Sequence, residues 1–151
     1  MEWLMEWGYL GLFVAAFLAA TIIPFSSDII LSAMLFGDFD PWLLWISASI
    51  GNWLGGMLSY SMGYLGKTDW LEKYLGMDHE KVSKMDVYAK KYGSYAALVT
   101  WLPVVGDPLA IALGFFKTRF VPTMFWMLIG KSGRYAAIIW LTLQGIDLFS
   151  N

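Results

Sequence analysis

The sequence predicts an all-α integral membrane protein made of two inverted repeats, each a re-entrant helical hairpin followed by a transmembrane helix. Three observations lead to this fold class. Of the 151 residues, 58% are hydrophobic and 15% are charged, and the mean hydropathy is +0.57, which is too apolar for an ordinary soluble domain. Proline and aspartate interrupt two of the long apolar regions. The spacing of these residues is the same in both regions.

The first apolar region covers residues 8–36 and is broken at Pro24 and Asp28. Neither arm, 8–23 or 29–36, reaches the ~20 residues that a helix needs to cross the hydrocarbon core. An interrupted backbone at membrane depth is tolerated only in packed protein or beside a water-filled cavity. We therefore predict a re-entrant hairpin that returns to the side from which it entered. One proline-kinked helix over 8–36 is the alternative.

A full transmembrane helix is predicted for residues 41–66. Pro41 suits the first position of a helix, and Gly66 suits its C-terminal stop. Asn52 lies near the middle of this span and needs a hydrogen-bond partner. It is either structural glue or part of a site. The small-residue face that includes Gly51 would allow a homodimer, because small side chains let helices approach closely in lipid.

Residues 67–92 form the polar part of the chain, with six lysines and five acidic residues. Apolar residues recur in this segment at helical spacing, which predicts an amphipathic helix at the membrane surface. The histidine of the chain, His79, lies in it without a second candidate ligand nearby. We assign His79 to the solvated surface and predict no metal site.

Residues 93–116 follow the plan of the first hairpin. Pro103 and Pro108 bound the break between its arms, and Gly106 and Asp107 lie inside it. A second transmembrane helix is predicted after this hairpin, over residues 120–146, because the apolar character continues for the length of a full span.

The two broken regions form an internal repeat. A shift of 79 residues superposes their break residues, placing Thr21, Pro24 and Asp28 on Thr100, Pro103 and Asp107. The predicted organisation is a single membrane domain over residues 1–151 that contains repeat one (8–66), a linker (67–92) and repeat two (93–147).

Charge predicts how the chain is oriented in the membrane. If both hairpins are re-entrant, one side of the membrane carries acids and no base: Glu2, Glu6, Asp38, Asp40 and Asp147. The other side carries residues 67–92 together with Lys117 and Arg119. Basic loops stay in the cytoplasm. We therefore predict that residues 67–92 are cytoplasmic and that both termini lie outside.

Four charged residues remain inside the predicted membrane region, and their formal charges sum to zero: Asp28, Asp107, Lys131 and Arg134. A charge near the bilayer centre costs ~3 kcal/mol or more, so each of them is a functional-site hypothesis. Lys131 and Arg134 are three residues apart and share one helix face. The shift of 79 pairs Lys131 with Asn52. Inverted repeats of transporters bring broken helices together near the midplane, so we expect one shared site.

These residues resemble the DedA family, also called the VTT-domain or SNARE-associated Golgi protein family, and more narrowly its short YqaA-like bacterial branch. The match covers nearly the whole chain and depends on four segments: Pro24–Asp28, Gly51-Asn52, the run 101–107 and Gly130 to Tyr135. The resemblance implies two opposed re-entrant hairpins and a multi-pass protein of the bacterial inner membrane. It also implies movement or scrambling of lipids, including a polyprenyl phosphate carrier, with protons involved.

The chain departs from the main branch of that family at two places. Arginines stand before and after the proline of the second hairpin in the main branch, where this chain has Thr100 and Gly106. An acid earlier in the first hairpin is replaced by alanine. Phosphate recognition in the manner of the main branch is therefore not implied, unless Lys131 and Arg134 supply the positive charge.

Three functions fit these features. In a lipid transporter, Asp28 and Asp107 would respond to protons or cations, and Lys131 and Arg134 would attract a lipid phosphate. The structural alternative for the same four residues is pairing that fixes both hairpins to the last helix. An ion channel or small-solute carrier could use the same acids. A non-transporting membrane assembly factor is the third function.

The sequence argues against other classes. The absence of cysteine excludes disulfides and thiolate sites. We predict no enzyme, because the chain has no His–acid pair within a span, no Gly-x-Ser-x-Gly and no phosphate loop. No cofactor is predicted, and no segment resembles a nucleic-acid patch. The expected partners are membrane lipids and protons.

Overall fold

The structure, a computed structural model, describes residues 2–20, 27–66, 79–102 and 106–150. Within these ranges it contains helices and no strand, so the predicted all-α class is confirmed. The α-helices are α1 (Glu2–Ala19), α2 (Ser27–Leu35), α3 (Pro41–Leu65), α4 (His79–Tyr92), α5 (Gly106–Phe115) and α6 (Phe120–Ser150). A 3₁₀ helix, Gly93–Trp101, lies between α4 and α5.

The helices predicted at 41–66 and 120–146 both form, as α3 and α6. Their assignment as membrane spans is not confirmed. In the part of the chain that the structure describes, no helix combines the length and the apolar character needed to cross a membrane.

The chain divides into two compact units. The first consists of residues 1–55 with 131–151, and the second of residues 56–130. These two units do not test the predicted single membrane domain with two repeats, because that organisation concerns how the chain is placed in a bilayer. It stays a prediction.

In the first unit the chain reverses direction between α1 and α2. A side chain added at Gly8 would have its Cβ 3.4 Å from Met34 Cε. In one continuous helix these residues would be ~39 Å apart, since each residue adds 1.5 Å. The backbone N–H of Asp40 also donates to the Tyr9 hydroxyl at 2.8 Å. The chain therefore forms a hairpin here, and not the single rod over 8–36.

The core of the first unit is apolar and continuous. Its buried residues come from four helices and are Leu12, Ala16, Leu31, Leu35, Leu44, Ala48, Tyr135 and Ile139. Two glycines let α3 lie directly on α1. A Cβ at Gly51 would collide with the carbonyl oxygen of Phe13, and one at Gly55 with that of Phe17. Asn52 follows Gly51 in α3, so this close approach determines where Asn52 lies along α1.

The second unit begins its hairpin with an unexpected element. Helix α4 ends at Tyr92, and Gly93 takes the left-handed conformation with φ +56° that commonly ends helices. The following arm is a 3₁₀ helix of nine residues, whereas the sequence predicted an arm of the same kind as that in the first hairpin. Such long 3₁₀ runs are uncommon, and their rise of ~2.0 Å per residue stretches the arm relative to an α-helix.

Close glycine contacts also hold the second unit together. A Cβ at Gly63 of α3 would meet the carbonyl oxygen of Ile111, and one at Gly114 of α5 would meet that of Tyr60. These reciprocal contacts bring the two backbones together. The starts of the helices also follow the sequence repeat, because α2 and α5 begin 79 residues apart, as do α3 and α6.

Candidate functional site

A buried lysine of α6 lies in the first unit. Lys131 is 1% exposed, and its Nζ donates to Asn52 Oδ1 at 2.5 Å. Asn52 is 2% exposed and donates from Nδ2 to the carbonyl oxygen of Ala16 at 2.9 Å. The amide therefore links α1, α3 and α6. An ammonium taken out of water costs several kcal/mol, so this acceptor is part of what makes the buried position tolerable.

One turn further along α6, a guanidinium forms an ion pair. Arg134 Nη2 donates to Asp28 Oδ1 at 2.5 Å, and the two side chains are 15% and 29% exposed. Asp28 lies in the first turn of α2, where the helix dipole favours a negative charge. Because the pair is only partly buried, a solvated anion could reach Arg134 and compete with the carboxylate.

A second bond runs beside this ion pair and involves the adjacent residue of each helix. The Tyr135 hydroxyl and Ser27 Oγ are 2.7 Å apart, and both side chains are fully buried. The two adjacent contacts hold the first turn of α2 against α6 and set the direction of Asp28. Sequence reasoning did not identify Tyr135 and Ser27 as site residues. The available signal was a tyrosine hydroxyl in an apolar helix, which needs a partner when buried.

The α3 side of the site contains further polar groups. Trp45 Nε1 donates to the carbonyl oxygen of Ser132 at 2.8 Å, which links α3 and α6 close to Lys131. Ser49 lies between Trp45 and Asn52 along α3 and is 4% exposed. Its hydroxyl has no hydrogen-bond partner among the residues that the structure describes. The polar groups thus extend beyond the predicted residues.

The structure brings together four of the predicted site residues, which are Asp28, Asn52, Lys131 and Arg134. Asp107 and Pro108 lie in the first turn of α5, so Asp107 has the helix position that Asp28 has in α2. The side chains of Asp107 and Pro108 lie outside the described part of the structure. The predicted break residues Thr21, Pro24 and Pro103 lie outside the described residues altogether.

The remaining break residues, Thr100 and Gly106, have structural contacts. Thr100 is buried, and its hydroxyl donates to the carbonyl oxygen of Ala97 at 2.6 Å. A Cβ at Gly106 would collide with the carbonyl oxygen of Thr100. The first helical residue of α5 therefore packs directly on the end of the 3₁₀ helix, which only glycine allows.

The site contains charged groups of both signs. Among the described side chains, Lys131 and Arg134 contribute two positive formal charges, and Asp28 contributes one negative charge. Arginine presents a planar fork of donors that matches carboxylate or phosphate oxygens. In the described ranges, no group of three or more metal-ligating side chains occurs. The Arg134 guanidinium, which binds the Asp28 carboxylate, has donors that suit an oxyanion.

Comparison with known proteins gives a consistent result. The VTT domain family matches residues 23–143. The inner membrane protein YqaA of Escherichia coli is 37% identical over 141 residues, covering 90% of this chain and 92% of that protein. An uncharacterized protein of Haemophilus influenzae is 30% identical, covering 87% and 85%. One from Methanocaldococcus jannaschii is 25% identical, covering 89% and 83%. No solved structure matches the chain.

Proposed function

The chain belongs to the VTT-domain family, and from this premise we propose that it is an inner-membrane transporter or scramblase of anionic lipids. The name of its Escherichia coli relative, an inner membrane protein, supports the location. The Arg134–Asp28 pair beside the buried Lys131 is the observation that carries the proposed activity.

The proposed step is an exchange of partners at Arg134. A lipid phosphate displaces the Asp28 carboxylate, and its negative charge is balanced by Arg134 and by the nearby Lys131. Protonation of Asp28 favours this exchange, because a neutral carboxyl group holds the guanidinium less strongly. Return of the carboxylate then expels the phosphate. Protons and lipid are coupled in this way, without any covalent chemistry.

The inverted-repeat arrangement belongs to the same proposal. Asn52 and Lys131 are equivalent under the shift of 79 residues, and they hydrogen-bond to each other. Transporters with inverted repeats bind their substrates where segments of the two repeats meet, so this hydrogen bond supports the proposal. Asp107, the repeat equivalent of Asp28, is proposed as the second proton-responsive carboxylate.

The test is movement of labelled lipid in liposomes that contain the purified protein. We expect the wild type to move a labelled anionic phospholipid, with a rate that responds to a pH gradient. Asp28→Asn should remove the pH response, and it should lower the rate about tenfold or more, because no carboxylate returns to Arg134 to expel the phosphate. The missing charge-assisted bond contributes about 1.5–3 kcal/mol.

Asp38→Asn is the matched control, since Asp38 is exposed and lies outside the site. It should leave lipid movement and the pH response unchanged. The proposal is wrong if a folded Asp28→Asn variant behaves like the wild type. Ion flux without lipid movement would instead identify a channel, and no flux of either kind would identify an assembly factor.

A further inference from the structure

A cleft in the second unit has a different chemistry from the Arg134 pair. Its volume is about 490 Å³, and it lies between the last turns of α3 and the turn that joins α5 to α6. Tyr60, Ser61 and Tyr64 line one side, and Lys117, Thr118 and Phe120 line the other. The volume falls in the range of about 300–1,000 Å³ that is typical of ligand pockets.

The turn between α5 and α6 contains a lysine where glycine would be expected. The Thr118 N–H donates to the carbonyl oxygen of Leu113 at 3.2 Å, and the Lys117 N–H donates to that of Gly114 at 3.0 Å. This pair of bonds is a Schellman cap, whose left-handed position glycine usually occupies. Lys117 takes that position with φ 55°. Since capping alone favours glycine, the lysine side chain points to a binding role.

The ammonium group of Lys117 is held over the cleft. Its Nζ lies 5.2 Å from the centre of the Tyr64 ring. The Tyr60 hydroxyl donates to the carbonyl oxygen of Thr118, and Phe120 packs edge-to-face on the Tyr60 ring with centroids 5.7 Å apart. Tyr60 is 3% exposed, so these contacts fix the floor of the cleft before any ligand binds.

The lining of the cleft combines a cationic group and polar groups with apolar surface. Its lining has a lysine and no carboxylate among the described residues. Arg119 is exposed two residues beyond Lys117 and adds a second positive charge. The apolar part of the lining includes Leu65, which is 82% exposed. A ligand that fits both parts carries a negative charge on an apolar body.

We propose that this cleft binds the phosphate headgroup of an anionic phospholipid. Lys117 pairs with the phosphate, and an acyl chain lies along Leu65. The tyrosine rings contact the glycerol region, as aromatic side chains do at membrane boundaries. The proposal rests on the membrane location proposed above, but it does not depend on lipid movement.

The experiment measures binding of a fluorescent short-chain phosphatidylglycerol, with its phosphatidylcholine counterpart, to the detergent-purified full chain. Lys117→Gly removes the ammonium and gives the left-handed position its preferred residue, so the variant should fold. Binding of phosphatidylglycerol should weaken about fivefold, as expected for one basic residue near an anionic lipid. Binding of phosphatidylcholine should change less than twofold, because that lipid has no net charge.

Lys91→Ala is the matched control. Lys91 is an exposed lysine whose Nζ lies 5.3 Å from the centre of the Tyr92 ring, and it does not line the cleft. It should bind phosphatidylglycerol like the wild type. Equal weakening in both variants, or wild-type binding by Lys117→Gly, would overturn the proposal. Displacement of the lipid by glycerol phosphate at similar concentration would also overturn it, in favour of a soluble ligand. If the wild type binds phosphatidylglycerol in a Lys117-dependent way but moves no lipid in liposomes, the transport function is contradicted and the binding proposal is not.

Discussion

The contact between Lys131 and Asn52 allows a quantitative test of how the site is held together. Lys131→Met and Asn52→Leu each remove one partner of a 2.5 Å hydrogen bond between side chains that are 1% and 2% exposed. A bond to a charged group contributes about 1.5–3 kcal/mol. Asn52→Leu alone leaves a buried ammonium without this acceptor and should destabilise the protein by about 3–5 kcal/mol.

Lys131→Met should be far milder, because an apolar side chain of similar length replaces a buried charge. The double variant should then recover much of the loss caused by Asn52→Leu. Unfolding of the four proteins in detergent, followed by intrinsic tryptophan fluorescence, gives the coupling free energy. We expect a coupling of about 1.5–3 kcal/mol between the two positions.

An exposed pair supplies the comparison for this cycle. Lys84 Nζ lies 3.4 Å from Glu80 Oε1 in α4, and the two side chains are 75% and 76% exposed. The cycle of Lys84→Met and Glu80→Gln should give a coupling of about 0.5 kcal/mol or less, because water screens the pair. If the free-energy changes at Lys131 and Asn52 add to within about 0.5 kcal/mol, the buried contact does not hold the site together.

Three further predictions concern contacts in the two units, each read from unfolding of the purified protein. Gly63→Val should destabilise the protein by about 2 kcal/mol or more, since its Cβ would meet the carbonyl oxygen of Ile111; an unchanged midpoint would contradict the close contact. Tyr135→Phe should cost about 1–2 kcal/mol by leaving the Ser27 hydroxyl without its partner, and Ser27→Ala added to Tyr135→Phe should cost little more; full additivity would refute the bond. Lys117→Gly should leave stability unchanged or raise it by up to about 1 kcal/mol, because glycine adopts φ 55° without strain; a clear loss would show that the lysine is needed for folding.

The sequence predicted the α-helices α3 and α6 and several residues of the site. Pro41 and Gly66 at the ends of an apolar stretch predicted α3, and the length of the apolar stretch predicted α6. The chain reversal after α1 was predicted because neither arm around Pro24 and Asp28 is long enough to span a membrane. Charges in apolar surroundings are costly, which is why Asp28, Lys131 and Arg134 could be selected without a structure. Their assignment to a functional site stays a prediction.

Other features could not be predicted, because they depend on packing between distant residues. Whether Asn52 or Asp28 would face Lys131 is set by how α1, α2 and α3 lie against α6, and not by spacing along one helix. The 3₁₀ geometry of Gly93–Trp101 has no clear local signal, since 3₁₀ and α conformations differ little in the residues they favour. The φ of Lys117 likewise runs against its local preference.

The most direct test of the central claim is the rate of anionic-lipid movement in liposomes as Arg134 is varied. Arg134→Lys keeps the charge but loses the planar fork, and Arg134→Gln loses both. We expect a graded loss, with Arg134→Gln lowering the rate about tenfold or more relative to the wild type and Arg134→Lys falling between them. Folded Arg134→Gln protein that moves lipid at the wild-type rate would contradict it.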